Sequence, residues 1–339
     1  MKFCVFGAGA VGGFVGGMMA HAGHAEVSLI ARGDHLAAIQ TDGLRLRRGD
    51  VEFTVTPATT DSPADLGVQD VIFVTAKAHA LSVAADAMQP LIGPDTVVVA
   101  AQNGIPFWYF YGHGGNLDGH TLQTVDPGGK IAGAIGCQRV IGCVITSSNT
   151  VEAPGIVRNI GNQVFALGEP DGSSSDRIRK ISDALIKSGL EAPIFDELRN
   201  EVWLKLWGNV SWSTMAALTT SRLGPLVEQP DLQQLGVDIM KEMQAVAEAL
   251  GITFREGIDS RIEGTKKVAG HKTSILQDLE AGRPMEVDGI AGAVVELGRM
   301  LDIQTPMVDL IYALLRQRAR AGGQYPEIDF DPLRGTEKT

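Results

Sequence analysis

Cysteine is scarce. The three residues, Cys4, Cys137 and Cys143, form neither a CxxC pair nor an even set, so nothing supports a disulfide framework or a thiolate zinc cage, and reduced thiols in a reducing compartment are the simplest reading. Basic charge is in deficit as well. Twenty-nine lysines and arginines stand against 40 acids, a net charge of -11 with no basic run, which repels a nucleic-acid backbone or an anionic membrane. Neither is expected as a partner. Long apolar runs are missing: no stretch reaches the roughly 18 unbroken apolar residues of a membrane span. Residues 1–23 imitate a secretory signal, with Lys2 ahead of a small-residue stretch ending near Ala20 and Ala22, but glycines at 7, 9, 12, 13, 16 and 17 weaken it. A soluble cytoplasmic protein is expected. The seven histidines include no ligand spacing such as HExxH, so no metal is expected. Internal repeats and low-complexity tracts are absent.

What is present is enough apolar residue, 44% of 339, to fill two cores, and a chain of this length exceeds what one core usually serves. Lys2–Phe6 reads as a buried strand, followed by a glycine turn and an apolar helical stretch to about Ala22. Further strands are expected over 26–31, 71–75, 96–100, 140–147 and 164–167, alternating at first with helical stretches. From Asp196 the pattern changes. Asp196 and Glu197 suit a helix start, apolar residues then recur at helical spacing through Leu218, and 235–250, 274–280, 287–301 and the stretch from Pro306 to about Arg320 all read helical. The fold class is α/β: a Rossmann-type, doubly wound parallel sheet over residues 1–195 and an all-α domain over 196–325. The polar tail, from Gly322 and counted as a segment over 326–339, carries too few apolar residues to dock firmly.

The segment Gly7-Ala8-Gly9-Ala10-Val11-Gly12 has GxGxxG spacing between a strand and a helix, the context that gives this otherwise weak motif its weight. Gly7 permits the tight turn, Gly9 lets a pyrophosphate approach, Gly12 allows close packing, and the helix beginning at Ala10 and Val11 offers unpaired N–H groups to an anion. A purely structural glycine turn is the alternative. At the end of the second strand, where an acid would hold the ribose of NAD, stands Arg32, whose guanidinium suits the 2'-phosphate of NADP. The other reading of Arg32 is a solvated loop arginine, and Asp34 lies close by.

MKFCVFGAGAVGG with LIARGDHLAAIQTDGLRL after it, VTAKAHAL, AQNGI, EVWLKLWGN and HKTSILQDLEAGRPMEVDGIAG together resemble the ketopantoate (2-dehydropantoate 2-) reductase family over nearly the whole chain. The resemblance implies a C-terminal domain like that of 6-phosphogluconate dehydrogenase and NADPH-dependent reduction of 2-dehydropantoate to pantoate, a step of pantothenate and coenzyme A biosynthesis. It also implies roles: Lys77 near nicotinamide and substrate, Asn103 on the cofactor, Lys205 as catalytic lysine with Glu286 as its acidic partner, and Asn209, Ser213 and Ser274 on the substrate. Lys205 and Asn209, four residues apart, share a helix face. The blander readings are a solvated Lys77, a snorkelling Lys205, a cap at Ser274 and a helix-start Glu286.

Two departures bear on the substrate. Ser213, in VSWSTMAAL, stands where the family commonly has a second asparagine, and the stretch from Pro106 through Lys130 is about 25 residues longer than the minimal pattern. Its aromatic cluster, Phe107 to Tyr111, suits a substrate cleft, an interface or a packed loop anchor alike. Another 2-keto acid therefore stays open as substrate, as does a non-catalytic NADPH-binding sensor. A homodimer through the helical domain is left open too.

Overall fold

The computed structural model describes residues 1–328 and 330–333. Two compact units emerge: one comprises Met1–Gln102, Pro106–His120 and Gly129–Leu198, the other Asn103–Ile105, Thr121–Gly128 and the chain from Arg199 on.

The first unit holds a nine-stranded sheet of β1 (Lys2–Phe6), β2 (Glu26–Ile30), β3 (Leu44–Arg48), β4 (Val51–Val55), β5 (Ala58–Thr60), β6 (Val71–Val74), β7 (Val97–Ala100), β8 (Val140–Ala153) and β9 (Ile156–Gly168). The order is β4-β3-β9-β8-β7-β6-β1-β2-β5. β1 is flanked by β2 and β6, both parallel to it, so the strand order reverses there and the carboxyl ends of these strands form the crevice where such sheets bind ligands. The sheet is parallel apart from two pairings, β3 with β4 and β8 with β9. This is the parallel-dominated, doubly wound sheet expected from the sequence, extended by three strands that were not expected. The reason is local: β3 to β5 are short and half-exposed, LRLRR, VEFTV and ATT, and carry no continuous apolar run to announce them.

Five helices accompany the strands: α1 (Ala10–Ala22), α2 (Gly33–Asp42), α3 (Leu81–Ala87), α4 (Lys130–Ile135) and α5 (Asp176–Lys187). Phe3, Val5, Phe73, Val99, Ile141 and Cys143 gather with Phe14, Val15 and Met19 of α1 and Ile178 and Leu185 of α5 in one apolar cluster. The alternate residues Cys4, Ile72 and Val98 are equally buried, so both faces of the central strands are covered, as a doubly wound sheet requires. In the long insertion, Phe107 to Phe110 are buried, and a Cβ on Gly142 of β8 would lie 2.3 Å from the Trp108 ring. Four of the cluster's five aromatics thus form a packed anchor, and Tyr111 is exposed.

Helices make up the regular structure of the second unit: α6 (Leu198–Gly208), α7 (Thr214–Thr219), α8 (Leu223–Glu228), α9 (Pro230–Ala249), α10 (Ile258–Lys266), α11 (Ser274–Glu280), α12 (Ala293–Met300) and α13 (Pro306–Ala321). α6 starts two residues after Asp196. Two π-helical turns interrupt the run, Asn209–Ser213 between α6 and α7 and Asp288–Gly292 ahead of α12. Side-chain hydroxyls serve carbonyls around the first: Ser211 Oγ donates to Trp207 O at 2.5 Å, Thr214 Oγ1 to Val210 O, and Ser213 Oγ reaches Gly208 O at 3.5 Å. Residues 121–128 join this unit through Glu296, whose carboxylate accepts from Gln123 N (2.7 Å), Thr124 N (2.8 Å) and Thr124 Oγ1 (2.6 Å).

The start of the tail contradicts its expectation. Gln324 is buried, its Nε2 donates to the carbonyls of Asp278, Leu279 and Arg283 at 3.0 to 3.1 Å, and its own carbonyl accepts from Met285 N at 2.9 Å. Docking proceeds by polar contacts that an apolar count misses. Residues 329 and 334–339 of the tail lie outside the described residues.

Candidate active site

β1 ends at Phe6, and Gly7 follows with φ +104°, a conformation that favours glycine. Ala8 N and Gly7 N donate to Ile30 O at the end of β2, and Thr75 Oγ1 donates to Gly7 O at 2.6 Å. The turn is therefore fixed from both neighbouring strands. A Cβ on Gly12 would lie 2.2 Å from Gly7 O and 2.4 Å from Thr75 Oγ1, whereas one on Gly9 would meet nothing within 4 Å. Gly12 is needed for helix-to-turn contact, and Gly9 leaves open space at the helix N-terminus, where no side chain caps α1. Ala10 and Val11 form its first turn. These are the features that cradle a pyrophosphate.

Arg32 is exposed two residues beyond β2, and Lys77 is half-buried three residues beyond β6. Because Phe6 pairs with both Ile30 and Val74, the sequence-predicted residues Gly7, Arg32 and Lys77 emerge from the same ends of adjacent strands. His35, in α2, was not foreseen. Its Nδ1 accepts from Gly155 N at 3.0 Å, and burial pushes its pKa below the usual 6.5, with a smaller opposing pull from the Ala8 backbone.

In the helical unit, Lys205 lies on α6, half-buried among the buried Trp203, Leu204, Leu206 and Trp207. Its Nζ donates to Asn103 Oδ1 at 2.6 Å, and Asn103 Nδ2 donates to Glu286 Oε2 at 3.2 Å. One amide joins the lysine to the carboxylate. Asn103, expected on the cofactor, is thus engaged by the residues expected to be catalytic. Its position is set by its neighbour: Gly104 has φ +82°, a Cβ there would lie 2.0 Å from Gly289 O, and Ile105 N donates to that same oxygen at 2.9 Å. Both π-helical turns border this trio, Asn209–Ser213 beginning four residues after Lys205 and Asp288–Gly292 two residues after Glu286. Such turns recur at functional sites.

Asn209 is half-buried at the head of its π turn, while Ser213 is 6% exposed. Ser274 is the exposed first residue of α11; the cap is Thr273, whose hydroxyl accepts from Leu276 N. α11 packs on α7 and on the first π turn, which brings Ser274's helix to the element bearing Asn209. Sequence reasoning missed Asp288, Tyr312, Tyr325 and Gln324, the residues behind Glu286. Asp288 Oδ1 accepts from Tyr312 OH at 2.7 Å and Tyr325 OH at 2.9 Å, and burial raises its carboxyl pKa against the pull of these two bonds. Among the described residues no group of three His, Cys, Asp or Glu side chains is placed to hold a metal.

The family model for ketopantoate reductase PanE/ApbA matches residues 3–172, and that for the ketopantoate reductase PanE/ApbA C terminal matches 197–319. A 2-dehydropantoate 2-reductase of Mesorhizobium japonicum is 47% identical over 326 residues, spanning 96% of this chain and 100% of the relative. Among solved structures, a candidate ketopantoate reductase from Ralstonia solanacearum MolK2 superposes with a TM-score of 0.90 at 37% identity, covering 95% of this chain and 99% of that one. A 2-dehydropantoate 2-reductase from Geobacter metallireducens GS-15 follows at 0.83 and 26%, covering 94% and 99%.

Proposed function

The chain belongs to the ketopantoate reductase PanE/ApbA family, and from that premise we propose that it reduces 2-dehydropantoate to pantoate with NADPH. The observation that carries the reading is the Lys205–Asn103–Glu286 chain of hydrogen bonds. Bound NADPH supplies a hydride to the keto carbon. The reaction then needs one proton on the carbonyl oxygen, and the Lys205 ammonium is the group that stabilises the growing negative charge and gives the proton up. Glu286 balances the ammonium through the Asn103 amide, which fixes where Nζ points. Asn209 and Ser274 hold the hydroxyl and carboxylate of the acid, so that its carbonyl keeps a reactive orientation. In the Rossmann unit, the Gly7–Gly12 turn and the N-terminus of α1 bind the pyrophosphate, Arg32 takes the 2'-phosphate, and Lys77 serves the nicotinamide end.

The open space at Gly9 and the clash a Cβ would meet at Gly12 fit a dinucleotide. A cytoplasmic location belongs to the same reading, and among the described residues no helix is long and apolar enough to cross a membrane.

Ser213 favours a second substrate. It offers a short, buried hydroxyl turned toward Gly208 O where the family resemblance implies an amide, so a 2-keto acid with a different side chain is the alternative. The deciding assay follows NADPH oxidation with 2-dehydropantoate and a panel of 2-keto acids, for the parent and for Lys205→Ala. Preferred turnover of 2-dehydropantoate with a roughly thousandfold loss of kcat in the variant supports the reading. Preference for another acid moves the substrate, and parent-like turnover by Lys205→Ala removes the lysine from the mechanism.

A further inference from the structure

Glu286 lies on a short segment tied down from behind. Met285 N donates to Gln324 O, and Gln324 Nε2 holds the carbonyls of Asp278, Leu279 and Arg283, which flank that segment. Two residues after Glu286, Asp288 opens the π turn and accepts both tyrosine hydroxyls. Tyr325 is in turn covered by Arg320, whose guanidinium carbon sits 4.7 Å from the ring centre and which pairs with Glu327 at 2.9 Å. Tyr312 lies beneath Arg316, paired with Asp331 at 2.8 Å. On its other side the π turn presents Gly289 O to Ile105 N, beside the Gly104 contact that sets Asn103. The residues after α13 therefore reach both members of the bridge to Lys205: Glu286 through Met285, and Asn103 through Asp288 and Gly289.

We infer that residues 324–328 and 330–331 form a positioning strap for the active site, in which Tyr325, together with Tyr312 of α13, clamps Asp288 and Gln324 clamps Met285, so that Asn103, backed by Glu286, holds Lys205 in register. None of Tyr312, Tyr325, Gln324, Asp288 and Met285 needs to touch substrate. The strap is a fixed part of the helical unit and acts through bond geometry alone. This inference rests on the reductase reading for its kinetic consequence, and on the structure alone for its physical one.

The test uses Tyr325→Phe, which deletes one hydroxyl and keeps the ring under Arg320. Hydrogen exchange on the full-length variant reports positioning without reference to activity: exchange at residues 103–105 and 285–289 is expected to quicken by about tenfold, the value of one bond to a charged acceptor, with the sheet of the Rossmann unit unchanged. Unchanged exchange at 103–105 overturns the strap. Kinetically, kcat for the keto acid falls by about tenfold with KM for NADPH unchanged, and the loss disappears when Tyr325→Phe is made in an Asn103→Ala background, since a residue acting through Asn103 has nothing left to position. Equal losses in both backgrounds overturn the strap's route through Asn103. A parent enzyme inactive on every 2-keto acid defeats the reductase reading, while the exchange result still decides the strap.

Discussion

Gly104→Ala is a severe test of how the site is held. Two costs arise at once. At φ +82° an alanine adopts the left-handed conformation at about 1–2 kcal/mol. Its Cβ would then sit 2.0 Å from Gly289 O and 2.6 Å from Gly289 C, where real contacts are not closer than 3.0 Å. Gly289 O has little room to yield, because it accepts from Ile105 N and belongs to the π turn held by Asp288. The 103–105 backbone must therefore retreat by about 1 Å, which would take the 2.6 Å Lys205–Asn103 contact beyond hydrogen-bond range. A misplacement of that size at a catalytic group is worth roughly a hundredfold in kcat. With strain added, Tm is expected to fall by about 5–10 °C. Initial rates at saturating NADPH and keto acid, with a thermal melt, measure both. Gly251→Ala is the matched control: φ is +80° and its Cβ meets nothing within 4 Å, so it bears the conformational cost without the clash and retains kcat. If Gly104→Ala keeps parent kcat, or if the two variants lose activity alike, the view that Gly104 sets Asn103 is wrong.

In the Rossmann unit, Gly12→Ala places a Cβ 2.2 Å from Gly7 O and 2.9 Å from Val5 Cγ1, so NADPH affinity in a fluorescence titration is expected to drop at least about a hundredfold; undiminished affinity would show that the turn does not bind the pyrophosphate. His35 has a folded pKa below its unfolded 6.5, so the unfolded chain takes up the proton first and stability declines as pH falls from 6.5 toward the folded value. His271 shifts in the same direction, and the difference in Tm between parent and His35→Asn across that window isolates the first histidine. A difference that does not change with pH would refute the assignment.

The strand, glycine turn and helix at the N-terminus were legible because the pattern is consecutive: strand, three glycines at fixed spacing and a helix N-terminus lie within a dozen residues, and Arg32 follows the very next strand. Lys205 and Asn209 were named by the family resemblance, to which their four-residue spacing adds that they share a helix face. Asn103 and Glu286 are separated by 183 positions, and only the family resemblance named them. The amide bridge itself depends on tertiary register, which no periodicity encodes. The π turns left little trace as well, because one extra residue in a helical turn barely disturbs apolar spacing, although Ser211, Ser213 and Thr214 in succession supply hydroxyls where such a turn has carbonyls to satisfy.

The tail is the instructive failure. Judging it by apolar content assumes that docking is driven by buried area, yet the surface it meets is the C-terminal end of α11 and the loop to Met285, where helix geometry leaves carbonyls without intrahelical donors. A single glutamine amide donates to three carbonyls there, at Asp278, Leu279 and Arg283, the first two of which also accept from Arg283 N and Gly282 N, and the next residue places a phenol on the buried carboxylate of Asp288. The Gln324 amide is itself buried, and left unpaired there it would cost about 1–3 kcal/mol. The readable signal was therefore a donor-rich pair, Gln324-Tyr325, placed directly after the Gly322-Gly323 helix stop, and it points to a backbone end awaiting hydrogen bonds.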